Sequence, residues 1–249
     1  MPNERALRVV DTRRRGSSWP FLVETGSGRF FTKLRGAGHG LSALVAEVIV
    51  GGLAELVGLR VPARALITID EQVVCDDRDA ELADLLRASR GLNLGFAWLE
   101  GARDFRPEDG GRVSVDEASQ IVWLDGLVAN PDRTARNPNL LWWRDQLWLI
   151  DHGSTLVFHH DWSAVTEDSP RRPLPALAAH VLADRAKRLA DWDTILAEAL
   201  DRDAIRAAVA AVPADFLAGL VTRPESVDRR REAYLAFLWK RLRAPRPFV

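Results

Sequence analysis

Asn130-Pro131-Asp132-Arg133-Thr134-Ala135-Arg136-Asn137-Pro138-Asn139 is the densest polar cluster of the chain, and Ile150-Asp151-His152-Gly153 follows it closely. Between them lie two apolar runs, 140–143 and 147–150, joined by Arg144-Asp145-Gln146. This pattern predicts a β-hairpin. A hairpin returns the chain to its starting point. Asp132 and Asn137 therefore enter, and Asp151 leaves, at one end. Two carboxylates and an amide oxygen then share a small volume. Hard oxygen ligands of this kind suit Mg²⁺, which takes a few carboxylates together with substrate phosphates. Asn137 follows Asp132 by five positions and Asp151 follows it by nineteen. That is the layout of phosphoryl-transfer sites, in which a base Asp precedes a metal-binding Asn and a second metal-binding Asp. An isolated Asn/Asp/Pro cluster makes only turns. The hairpin and the terminal Asp-His-Gly carry the reading beyond that.

Upstream, Lys33 sits in an apolar-flanked strand, Phe30-Phe31-Thr32-Lys33-Leu34, and Glu47 lies fourteen residues on in a predicted helix, 42–58. Lysine is rare here: 31 of the 34 basic residues are arginine. A strand lysine that touches nucleotide phosphates and is held by a helix glutamate has this arrangement. Glu47 shares its helix face with Ala43, Gly51 and Ala54, small residues that permit close approach to a sheet. Between the strands 7–11 and 21–24, Gly16, Ser17 and Ser18 form the candidate phosphate-covering loop, with backbone N–H groups and hydroxyls as donors. A rival reading takes Gly36-Ala37-Gly38-His39-Gly40 as a dinucleotide fingerprint with Asp70 on the ribose. Its third glycine position is Leu41, and the preceding strand carries Lys33 and Arg35, unlike a buried parallel strand.

Composition bounds the rest. The 249 residues, 47% hydrophobic and 28% charged, suffice for a sizeable core. A net charge of -1 gives no support to nucleic-acid coating. Cys75 is the one cysteine, which excludes an intrachain disulfide and a cysteine zinc site. No signal-type apolar core and no membrane-length apolar run are present, so a cytoplasmic protein is expected. His159-His160 lacks a third metal ligand nearby. The nine tryptophans are scattered and read as core. The basic segment 229–243 reads as a packed helix with solvated arginines. Strands come first and helices later, which predicts an α+β fold. The lobe boundary falls at 102/103, with a mostly helical stretch over 175–243.

The string Lys33…Glu47…Asn130-Pro131-Asp132-Arg133-Thr134-Ala135-Arg136-Asn137…Asp151-His152-Gly153 resembles the HipA-like kinase family, and its Asp-Arg-x-x-x-Asn part is similar to phosphatidylinositol kinases. The resemblance runs over about 17–158. It implies a bilobal kinase-like fold: residues 1–102 as an ATP-binding lobe with an antiparallel sheet and one helix, and residues 103–249 as a catalytic and helical lobe. It implies ATP and Mg²⁺ as cofactors, Asp132 as the catalytic Asp, Asn137 and Asp151 on the metal, Lys33 with Glu47 on the phosphates, and Glu100, Gly101 and Ala102 as the hinge near adenine. The implied reaction is γ-phosphate transfer to a hydroxyl, Ser or Thr of a protein. A small-molecule or lipid acceptor, or a nucleotide-binding pseudokinase, are the alternatives. Three positions depart from the pattern. No His-Arg precedes Asp132, His152 replaces a common Phe, and Thr134 replaces a common His. The chain also lacks the length for the toxin kinases' N-terminal subdomain, which argues against a toxin role and an antitoxin partner.

Overall fold

The computed structural model describes residues 1–12, 19–38, 40–77, 79–223 and 226–249. Its first half holds strands β1 (Asn3–Arg5), β2 (Arg8–Asp11), β3 (Phe21–Glu24), β4 (Arg29–Lys33), β5 (Arg64–Ile69), β6 (Val74–Cys75) and β7 (Gly91–Ala97). They form one sheet in the order β1-β5-β7-β4-β3-β2-β6. Helices α1 (Gly40–Leu56) and α2 (Ala80–Ala88) accompany it. The expectation of an antiparallel sheet with one helix needs correction here. The central pairings are antiparallel, but β1 with β5 and β2 with β6 run parallel. The parallel partners β1 and β6 are too short to carry a hydrophobic alternation that sequence could reveal.

Gly36–Gly40 does not head a dinucleotide fold. The strand leading into it, β4, is antiparallel to both of its neighbours, whereas that fingerprint needs a parallel βαβ unit. Gly36 has a packing reason instead. A Cβ there would stand 2.9 Å from Ala88 and Ser89 at the end of α2.

Strand β8 (Arg103–Asp104) joins the hairpin β9 (Leu140–Trp143) and β10 (Gln146–Leu149) in a second, antiparallel sheet. The hairpin turn is Arg144-Asp145, both at positive φ (51° and 56°). Two residues of that hand match the twist of the flanking strands. Helix α3 (Val115–Leu127) precedes the polar cluster, with Ser114 capping the Glu117 amide at 3.0 Å. The stretch predicted as continuous helical pattern divides into a 3-10 turn (Pro175–Ala179) and four helices: α4 (Leu189–Ala199), α5 (Arg202–Ala210), α6 (Ala214–Ala218) and α7 (Ser226–Leu242). No helix among the described residues is long and apolar enough to cross a membrane.

Two apolar clusters hold the fold. The smaller lies under the sheet, with Val9, Phe21, Val23, Ile67 and Ile69 packed towards Leu82 of α2. The larger runs from α1 and Leu94 of β7 through α3 and the hairpin to α4, α5, α6 and α7. The boundary at 102/103 is thus crossed by one continuous core.

Candidate active site

Strand β4 carries Lys33 into the gap between α1 and the turn after β10. The Lys33 ammonium donates both to Glu47 Oε1 and to Asp151 Oδ1. Glu47 is fully buried, whereas the Asp151 side chain keeps 36% of its exposure. The close approach of α1 to the turn depends on small residues. A Cβ on Gly153 would stand 3.2 Å from Ala43 Cβ and 3.5 Å from Glu47 Oε1. Asp151 itself is left-handed, at φ 56°, a strained conformation that survives only where surroundings over-determine it.

Burial lowers the basicity of Lys33, but the Glu47 and Asp151 carboxylates outweigh it and hold its pKa above the ordinary lysine value. Glu47 is raised, because burial together with the Asp151 charge outweighs Lys33. Asp151 is lowered, since Lys33 overcomes its burial. One ammonium thus serves two carboxylates, and the deeper one gains less than its burial costs.

Beyond α3, Asp132 is held by two amides. Its Oδ2 accepts from Asn137 Nδ2 at 2.9 Å and from Asn139 Nδ2 at 3.2 Å. Lys33, Asn137 and Asp151 are among the residues that line a cleft of about 620 Å³. Phe31, Phe96, Trp98, Leu140 and Ile150 line its apolar part. The cleft fits a flat ligand that carries a charged tail.

Other expected residues divide. Ala102 lines the cleft. Glu100 and Gly101 form an exposed turn beside it, and the Glu100 carbonyl accepts from Trp143 Nε1 at 2.9 Å. Strand β7 ends at Ala97, just before this turn. Gly16, Ser17 and Ser18 lie outside the described residues.

The sequence reading missed the support beneath the loop. Asp125, fully buried on α3, accepts from Arg133 Nε (2.6 Å), Asn130 Nδ2 (2.8 Å) and His180 Nε2 (2.9 Å). Leu182 N donates to His180 Nδ1 at 2.9 Å, which places the imidazole proton on Nε2. Asn130 Oδ1 accepts the Asp132 amide at 3.0 Å. Arg133 donates to the Asn139 carbonyl and, at 3.4 Å, to that of Ile150. Asp125 therefore ties together the residues flanking Asp132 and the residue preceding Asp151. Burial would raise its pKa, but Arg133 and His180 hold it well below the usual carboxylate range. His152 is pushed down to about 3 by burial and by Arg133, so its ring is neutral at physiological pH. Asp125 had a signal, as the one acid within the apolar run 121–128. His180 had none, since no spacing links it to Asp132.

A buried lysine shared between a helix glutamate and a post-hairpin aspartate, in a cleft also lined by the asparagines that hold Asp132, is a kinase arrangement. Residues 6–219 match the model of the HipA-like kinase family, and the chain belongs to that family. No curated protein sequence matches it. Among solved structures it is similar to the Helicobacter pylori proinflammatory kinase CtkA, at 10% identity and a TM-score of 0.48, over 95% of this chain and 97% of that one.

Proposed function

We propose that the chain is an ATP- and Mg²⁺-dependent phosphotransferase that moves the γ-phosphate to a hydroxyl, most plainly a Ser or Thr of a protein. The observation that carries this reading is that Lys33, Asn137 and Asp151 line one cleft together with Phe31, Phe96, Trp98 and Leu140. Residues 1–102 form the ATP-binding lobe and 103–249 the catalytic lobe of a bilobal enzyme that works in the cytosol.

Lys33 binds the phosphates and Glu47 keeps it in place. Asp132 has Oδ2 committed to Asn137 and Asn139, which leaves Oδ1 to orient the acceptor hydroxyl and take its proton. The donor set fits Mg²⁺: Asp151 keeps its second carboxylate oxygen, and Asn137 spends its Nδ2 on Asp132 and keeps its amide oxygen. Among the described residues no cluster of three His, Cys, Asp or Glu side chains forms a metal cage. A cation held by one carboxylate, one amide and substrate phosphates needs none. Bound there, Mg²⁺ supplies charge neutralisation on the phosphates. Ala102 borders the adenine. Positioning and electrostatics are the protein's main contribution to phosphoryl transfer. Small-molecule or lipid hydroxyls remain the second class of acceptor, because the site constrains the phosphate more than the acceptor.

The test is thermal unfolding with ATP, NADH or NADPH, with and without Mg²⁺, on the wild type and on Asp151→Ala. A ligand that binds the folded state raises its stability. A shift with ATP that needs Mg²⁺ and disappears in Asp151→Ala is expected. Stabilisation by NADH or NADPH alone overturns the proposal.

A further inference from the structure

Helix α1 carries a contradiction. Gly51 and Gly52 sit side by side in its interior, where glycine weakens a helix relative to alanine. The helix also buries Glu47 with Oε2 unpartnered, an expensive arrangement in an apolar setting. Left with one packed side, a helix of this kind gains by rolling its carboxylate towards water.

The two glycines resolve it by facing different partners. Gly51 lies under the Arg64 guanidinium of β5, which a Cβ there would strike; Arg64 donates to the Val48 carbonyl at 2.9 Å. Gly52 lies against α5, and a Cβ there would stand 3.4 Å from Ala208 Cβ. Further along, Gly219 after α6 sits so close to Leu41 that a Cβ would collide with it. Arg35, just before α1, pairs with Asp215 of α6 at 2.7 Å. Residues 44–51 are buried without interruption, and α1 belongs to the same apolar cluster as α5 and α6. A helix that is apolar on all sides needs cover on all sides. The sheet supplies one cover and the C-terminal helices the other.

We propose that α5 and α6 act as a clamp that holds α1 with Glu47 on Lys33, so that the ion pair is set by the fold rather than by a swing of α1. Gly52 and Ala208 are then positioning residues. The functional meaning of the clamp rests on the kinase reading, because it works through Lys33; its mechanical part stands on packing alone.

The experiment compares Gly52→Leu, the conservative Gly52→Ala, and Ala207→Leu on the exposed face of α5. Mg·ATP affinity is measured by calorimetry, and amide hydrogen exchange is measured over α1. Overpacking at Gly52→Leu is expected to weaken Mg·ATP by about tenfold or more and to strip protection from α1. Gly52→Ala and Ala207→Leu are expected to stay within about twofold of wild type. Wild-type affinity and α1 protection in Gly52→Leu overturn the clamp. If Gly52→Leu does not fold, native-state exchange of the wild type decides. Exchange of α1 and α5 amides through one shared opening supports the clamp, and exchange of α1 at lower free energy than α5 overturns it. A wild type that fails to bind Mg·ATP refutes the kinase reading, and the exchange comparison then judges the clamp separately.

Discussion

Two carboxylate clusters flank the same polar loop, and they are built in opposite ways. Asp125 is sealed in the core and saturated, with Arg133, Asn130 and His180 all donating to it. Glu47 and Asp151 share one ammonium, leave Glu47 Oε2 without a partner, and keep part of Asp151 in solvent. The first arrangement fixes backbone, since two of its three donors, Asn130 and Arg133, lie on either side of Asp132. The second is short of partners, and its two cleft-lining members, Lys33 and Asp151, are the groups placed to exchange contacts when a charged ligand arrives. The framework and the proposed reactive site thus differ in how fully each carboxylate is satisfied.

The sharpest break of this contrast is Asp151→Ala. Lys33 keeps Glu47 as a partner, so the loss of unfolding free energy is expected to stay below the roughly 3 kcal/mol of a buried charge left wholly unpaired. Phosphotransfer is expected to fall by about a thousandfold, the scale of removing a preorganised charge from a reacting site. Urea unfolding and transfer of labelled γ-phosphate from ATP to protein, measured on the same sample, check both halves.

Asp125→Ala is expected to do the reverse. It strands the Arg133 guanidinium in the core, and removing one partner of a buried pair costs about 3–5 kcal/mol. The urea midpoint drops, and nucleotide response weakens with it because Asp132 and Asp151 lose a common anchor. A stable Asp125→Ala protein with normal stability would refute the framework role.

Acid separates the clusters more gently. The folded pKa of Asp125 lies below its unfolded value of about 3.9. Above that value the group contributes its full stabilisation, and the contribution is lost as pH falls through and below it. Glu47 has the opposite sign: its raised pKa makes the folded state bind a proton first, so acid relieves its cost. Unfolding measured between about pH 5 and pH 2 is expected to show a flatter acid limb in Asp125→Asn than in wild type. An unchanged slope would count against the shift of Asp125.

The grouping of Lys33 with Glu47 and Asp151 was readable in the sequence because each member breaks a local pattern. Lys33 is a rare lysine between apolar strand residues, Glu47 an acid in an apolar helix, and Asp151 stands at a fixed spacing after a hairpin. Asp125 breaks the pattern in the same way as Glu47, yet no spacing rule says what an acid on α3 should meet. His180 reaches it only because the chain pairs Thr134 with His180, a contact that local periodicity does not encode. The parallel edges β1 and β6 escaped because three and two residues give no alternation. In 175–243 the helical pattern was legible, but a pattern of apolar spacing marks faces rather than the interruptions between helices.

The smallest effect tests how Asp132 is held. Asn137 and Asn139 both donate to its Oδ2, but Asn137 is exposed and is the proposed metal ligand, whereas Asn139 is buried. Asn139 sits at φ 51°, so Asn139→Gly removes the amide while keeping the backbone comfortable. The loss of one hydrogen bond of ordinary worth predicts about 1 kcal/mol in stability and a several-fold fall in phosphotransfer, with Mg²⁺ dependence unchanged. Asn137→Ala loses the same bond and an amide oxygen facing the cleft, so its activity is expected to fall further and to need more Mg²⁺. Titrating Mg²⁺ against rate for both variants gives the answer. Identical curves would mean that Asn137, like Asn139, serves only to hold Asp132.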